Sequence, residues 1–225
     1  MQPAAAGMQA QTDGAWAREL RRRARNSLAL TIVGTSVLTG LFFVGYFYVQ
    51  DFPLRAATVM PLTRLDRLIP FQPWALLAYI SLWVYIGAGP ALQPTPAAMT
   101  RYALWMWALC LTGLLIFYLW PTRTPALPLP STDFPGITLL RRVDRAGNAC
   151  PSLHVAAATF TLVRVGTVLR SVRTPPWLHG LNIIWFTLIV YATLAIKQHV
   201  AWDVVAGTLL GLTFAWLSLA SIQGK

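Results

Sequence analysis

Charge is what this chain has least of. Only 11% of its 225 residues are Asp, Glu, Lys or Arg, against about a quarter in an ordinary soluble domain. So few charges cannot coat a water-facing surface. With 56% hydrophobic residues and a mean hydropathy of +0.55, the solvent is lipid. Acids are the scarcer sign, seven against eighteen basic residues, so no carboxylate cluster for a metal is expected. Two cysteines, Cys110 and Cys150, are too few for a disulfide framework, and Cys110 reads as a small core residue in mid-helix. Alternating strand patterns are absent, which argues against a membrane barrel.

Six apolar runs are present instead, at 27–50, 72–92, 102–120, 152–170, 177–196 and 200–221. Each approaches the ~20 residues that cross a bilayer core as a helix. The expected fold is therefore an all-α integral membrane protein with six transmembrane helices. Residues 1–26 would be a basic N-terminal segment and 27–225 the membrane domain. Within the former, 1–14 read as disordered and 15–26 as a short basic surface helix. The first run is too long for a signal-peptide core and no A-x-A-like site follows it, so it reads as an uncleaved span.

The net charge of +11 does not point to nucleic acid, because the basic residues sit at the ends of apolar segments. There they orient the chain and meet lipid headgroups. Five arginines, Arg18, Arg21, Arg22, Arg23 and Arg25, precede the first run. They place both termini in the cytoplasm. Loops 93–101 and 171–176 are then inside, and loops 51–71, 121–151 and 197–199 outside. Loop 51–71 reads as an amphipathic segment on the outer leaflet. The outer loops also carry many basic residues, an excess that a phosphate site would explain.

The segment "CPSLH", residues 150–154, puts a serine and a histidine at the start of an apolar helix. Pro151 suits the first helical position, Ser152 the first turn and His154 its end. A helix N-terminus attracts phosphate, Ser152 adds a hydroxyl, and His154 exchanges a proton near neutral pH. In "KQHVAWD", His199 and Asp203 are four apart and share a helix face. The carboxylate would fix the imidazole tautomer and leave the other nitrogen as nucleophile or base. Lys197 precedes them as a phosphate contact. His154 opens the fourth span and His199 and Asp203 the sixth, from the same side. The loop bearing Arg123, Arg141, Arg142 and Arg145 emerges there too. His179 has no such pattern. Each feature alone has a plain reading, as a headgroup contact, a helix-end charge or a snorkelling lysine. The joint arrangement reads as a site.

At these residues the sequence resembles the type 2 phosphatidic acid phosphatase superfamily, with its motifs K-x6-R-P, P-S-G-H and S-R-x5-H-x3-D. "PSLH" (151–154) matches the second with Leu153 for Gly, and "HVAWD" (199–203) the end of the third. The resemblance implies six spans, His199 as nucleophile, Asp203 as its partner and His154 as acid for the leaving group. No Arg-Pro dipeptide occurs, the only lysines are Lys197 and Lys225, and Ala192-Thr193 stands where the family has Ser-Arg. "PSLH", "KQH" and "WPTRTP" look similar to the inositol phosphorylceramide synthase-like branch. There Arg123 would replace the first-motif arginine, and Lys197 or one of Arg141, Arg142 and Arg145 the third-motif one. The implied activity is cleavage of a lipid phosphate ester or anhydride through a phosphohistidine, with water or an alcohol as acceptor. No cofactor or metal is expected, and no nucleic-acid partner. The implied location is the plasma (cytoplasmic) membrane, with the site at its outer, periplasmic face. Oligomeric state is left open. The alternative is a non-enzymatic six-span transporter or lipid-binding scaffold using the same basic pocket.

Overall fold

The computed structural model describes residues 3–127, 134, 136–143 and 147–223. It has six helical stretches long and apolar enough to cross a membrane: Gly14–Asp51, Pro73–Ala91, Pro96–Leu119, Leu153–Ser171, Pro176–Ala195 and Ala201–Ile222. They match the expected spans to within a few residues, apart from the starts of the first and third. The protein is a helical multi-pass membrane protein.

The first helix, α1, runs unbroken over Pro3–Asp51. The expected disordered tail and separate surface helix are therefore one continuous element with the first span. No proline interrupts it, and Glu19 holds both Arg22 and Arg23 at 2.8 and 2.7 Å, pairs one turn apart that favour the helix. After β1 (Thr58–Val59) and α2 (Arg64–Leu68), the second span is assembled from a short 3-10 turn, α3 (Leu76–Ile80) and α4 (Leu82–Ala91). Then come α5 (Pro96–Leu119), β2 (Thr122–Arg123), α6 (Ile137–Val143), α7 (Leu153–Ser171), α8 (Pro176–Ala195) and α9 (Ala201–Gln223).

The fourth span is the axis of the bundle. Of its most apolar window 72% is buried, against 6% for α1. Its inner face is small, with Ala156, Ala157 and Ala158 all buried. Lipid offers no hydrophobic drive to pair helices, so close backbone packing must do it. Gly207 and Gly211 on α9, four residues apart, supply that closeness. A Cβ at Gly207 would lie 2.4 Å from the Ser152 carbonyl oxygen, and one at Gly211 2.5 Å from that of Ala156. The outward face carries large exposed apolar side chains, among them Val44, Leu104, Leu209 and Trp216, which suits a lipid surround.

At one end of the bundle the long loops are stitched together. β1 and β2 pair in parallel, Thr58 with Thr122 and Val59 with Arg123, and Arg123 also bridges to Gly147. This end carries His154 and His199. The N-terminal arginines lie at the other.

Candidate active site

The approach of α7 and α9 forced by the two glycines determines what meets at the loop end. The Ser152 N–H donates to the Asp203 carbonyl at 3.0 Å, tying the start of one helix to the first turn of the other. Ser152 is the N-cap of α7, its Oγ accepting from the Val155 N–H at 3.3 Å. Pro151, expected at the first helical position, lies one residue outside the cap, and His154 is the second helical residue. Serine wins the cap because its oxygen can satisfy a free helix-end N–H.

The His154 and His199 rings stand 6.0 Å apart, centroid to centroid. His199 is 8% exposed and Asp203 fully buried. Nδ1 of His199 lies 3.5 Å from Asp203 Oδ2, an ion-pair distance rather than a formed hydrogen bond. Such contacts commonly tighten only when substrate binds. Oδ2 meanwhile accepts from the Val200 N–H at 3.0 Å, while Asp203 Oδ1 and His199 Nδ1 have no hydrogen-bond partner. The backbone ahead of His199 turns sharply: Lys197 has φ +62°, and the Thr193 carbonyl accepts from both Gln198 and His199 N–H groups.

Two residues at this site escaped the sequence reading. Tyr79, on α3, stacks on His154 with centroids 4.3 Å apart, its hydroxyl 3.3 Å from Nδ1. Across that contact the tyrosine oxygen can accept from a protonated His154 or donate to a neutral one. Asp66, on α2, is buried. It closes a capping box with Thr63, and its Oδ1 accepts from the Ala201 N–H at 2.8 Å, fastening the start of α9. Nothing in the local sequence separated this aspartate from a surface one. A tyrosine between alanine and isoleucine in an apolar span carried no signal either.

The predicted phosphate contacts divide. The Lys197 ammonium donates to the Asp66 carbonyl at 2.8 Å and to that of Ile69. It therefore seals the end of α2, whose last carbonyls lack helical partners. Burial lowers its pKa, and neighbouring Asp66 opposes that shift. Arg123 is exposed on β2. Beside it, the Thr122 hydroxyl accepts from the Cys150 N–H at 2.8 Å, so β2 is joined to the strand of chain leading into "PSLH". Arg141 and Arg142 lie on α6, where only the backbone is described, and Arg145 lies outside the described residues. Cys150, buried, has its thiol pushed up to about 12, by burial first and then by Asp203.

Below the histidines lies an apolar cavity of about 920 Å3. It runs between α1, α3, α4 and α5, from Thr31 and Met99 to His154. Several lining side chains, Leu77 and Leu104 among them, are exposed on the lateral surface, so the cavity opens sideways.

A six-span bundle with paired imidazoles at the polar end of a lateral apolar groove defines a membrane enzyme that handles an amphiphile. Residues 102–225, more than half of the chain, match the PAP2 superfamily, and the chain belongs to that superfamily. Comparison with curated proteins and with solved structures gives no match. Membership makes the protein an enzyme of the phosphatase or phosphotransferase kind directed at lipid phosphates.

Proposed function

We propose that the protein cleaves a lipid phosphate ester or anhydride through a phosphohistidine on His199. The observation that carries this reading is the pair of imidazoles 6.0 Å apart at the head of the 920 Å3 apolar groove. The acyl chains lie in the groove and the phosphate rests between the rings. With Nδ1 turned to Asp203, the free Nε2 of His199 attacks phosphorus in line, and the bond from phosphorus to the lipid oxygen breaks. His154 enters this step as an imidazolium, gives its Nε2 proton to that departing oxygen and is left a neutral imidazole. In the second step His154 takes a proton from the acceptor, whose oxygen attacks phosphorus and breaks the P–N bond. Cationic side chains hold the phosphoryl oxygens and balance the charge developing there, without metal. Arg123 and the α6 arginines, Arg141 and Arg142, together with Arg145, are the candidates.

Water as acceptor makes a phosphatase, an alcohol a phosphotransferase. "PSLH", "KQH" and "WPTRTP" favour the synthase-like branch, and product analysis with and without candidate alcohols decides. We place the site at the outer face of the plasma membrane, on the N-terminal arginines. No observation favours the transporter or scaffold reading.

The test is purified protein given a lipid phosphate labelled on phosphorus, in excess EDTA, quenched in alkali. An alkali-stable, acid-labile label on the protein is expected, lost in His199→Ala. Turnover by that variant at the wild-type rate removes His199 from the nucleophile's role.

A further inference from the structure

We propose that the end of the bundle remote from His154 and His199 holds a second anion site, built on Arg164, that takes a phosphate group. Arg164 lies ten residues along α7 from His154, about 15 Å away at the helical rise. It is 4% exposed. Among the described residues its guanidinium makes one hydrogen bond, Nη2 to the Gln93 side-chain oxygen at 3.5 Å, the outer limit of such a bond. Its Nε is buried without a partner. Gln93 cannot come closer freely, because its amide nitrogen is fixed on the Gly89 carbonyl at 2.9 Å. Tyr102, packed beside it, shares its hydroxyl with Thr161 at 2.8 Å.

Among the described residues no carboxylate forms an ion pair with Arg164. Arg101, next to Tyr102 on α5, adds a second positive charge on that side. Of the acids among the described residues, Asp51, Asp66 and Asp203 are at the end that carries His154 and His199. Glu19 is taken by Arg22 and Arg23. A buried guanidinium without counterion is costly, and its planar fork matches the paired oxygens of a phosphate. A phosphate between Arg164 and Arg101 would give Nε an acceptor and attract both positive charges. Gln93 belongs to the connection between α4 and α5, so the site lies toward that end of the bundle. Its phosphate can therefore come from an anionic lipid headgroup of that leaflet or from free inorganic phosphate.

Hydrogen exchange read by mass spectrometry on the full chain separates this site from His154 and His199. One arm adds inorganic phosphate at constant ionic strength in neutral detergent. The other compares nanodiscs of phosphatidylcholine with nanodiscs that also hold phosphatidylglycerol. Exchange over 89–101 is expected to slow about tenfold when phosphate is at ten times its dissociation constant. The slowing should vanish in Arg164→Gln, weaken in Arg101→Gln and persist in His199→Ala. Slowing in the lipid arm alone assigns the headgroup, and slowing in the phosphate arm alone the free anion. If Arg164→Gln does not fold, Arg101→Gln decides by the same measure. No slowing in either arm, or equal slowing in the folded variants and wild type, overturns the proposal.

Discussion

At the histidine end, buried polar groups are answered from distant parts of the chain. Asp66 serves Thr63 and Ala201, Lys197 serves the carbonyls of α2, and the Asp203 carbonyl takes the Ser152 N–H. Among the atoms left open there are His199 Nδ1 and Asp203 Oδ1, which belong to the candidate nucleophile and its partner. At the other end a single buried guanidinium has one long hydrogen bond among the described residues. The first end resembles a preorganised site, its dipoles held in place before substrate arrives. The second resembles a socket whose counter-charge comes from outside the chain. The difference also separates two uses of buried polarity: a network that positions, and an unpaired charge that recruits.

The comparison breaks most severely at His199. His199→Ala is expected to lower lipid phosphate turnover by about 10^4-fold or more, with the folded protein retained on gel filtration. Turnover within tenfold of wild type would detach the chemistry from the polar network. Next come the glycines that create the histidine end. Gly207→Ala forces a methyl against the Ser152 carbonyl and should cost about 1–3 kcal/mol, read as a lower melting temperature with at least tenfold slower turnover. Gly34→Ala, where nothing lies within 4 Å, is the matched control and should melt no lower. A smaller effect is expected of Asp66→Ala. Losing its cap and the Ala201 anchor should remove about 1–2 kcal/mol and slow turnover severalfold, with Asp66→Asn in between. Tyr79→Phe keeps the stacked ring and deletes only the hydroxyl, so a drop in kcat of up to about tenfold, with KM unchanged, is its signature. The mildest probe is chemical. With the Cys150 thiol held near 12, thiolate grows only as pH rises toward that value, so iodoacetamide at pH 8 should label it far more slowly than a free thiol.

The six spans and the meeting of His154 with His199 were legible because both rest on sequence-local facts: apolar length, and the parity of crossings that returns alternate helix starts to one side. What stayed hidden depends on tertiary contact. Gly207 and Gly211 are ordinary small residues until a carbonyl lies against them. Asp66 has the same local sequence whether it faces water or Ala201. Lys197 looked like a phosphate ligand because its place beside His199 was visible and the carbonyls of α2 were not. Residues 15–26 were parted from the first span because their charge ended the apolar run, although charge alone does not end a helix when Glu19 pairs with Arg22 and Arg23.

The lateral mouth of the apolar groove has a kinetic consequence. A substrate admitted through it searches in two dimensions and never leaves the bilayer. Its encounter rate then depends on abundance per membrane area, not on bulk concentration, and activity should follow surface dilution in mixed micelles. On the proposed chemistry, a greasy product would withdraw sideways by the same mouth.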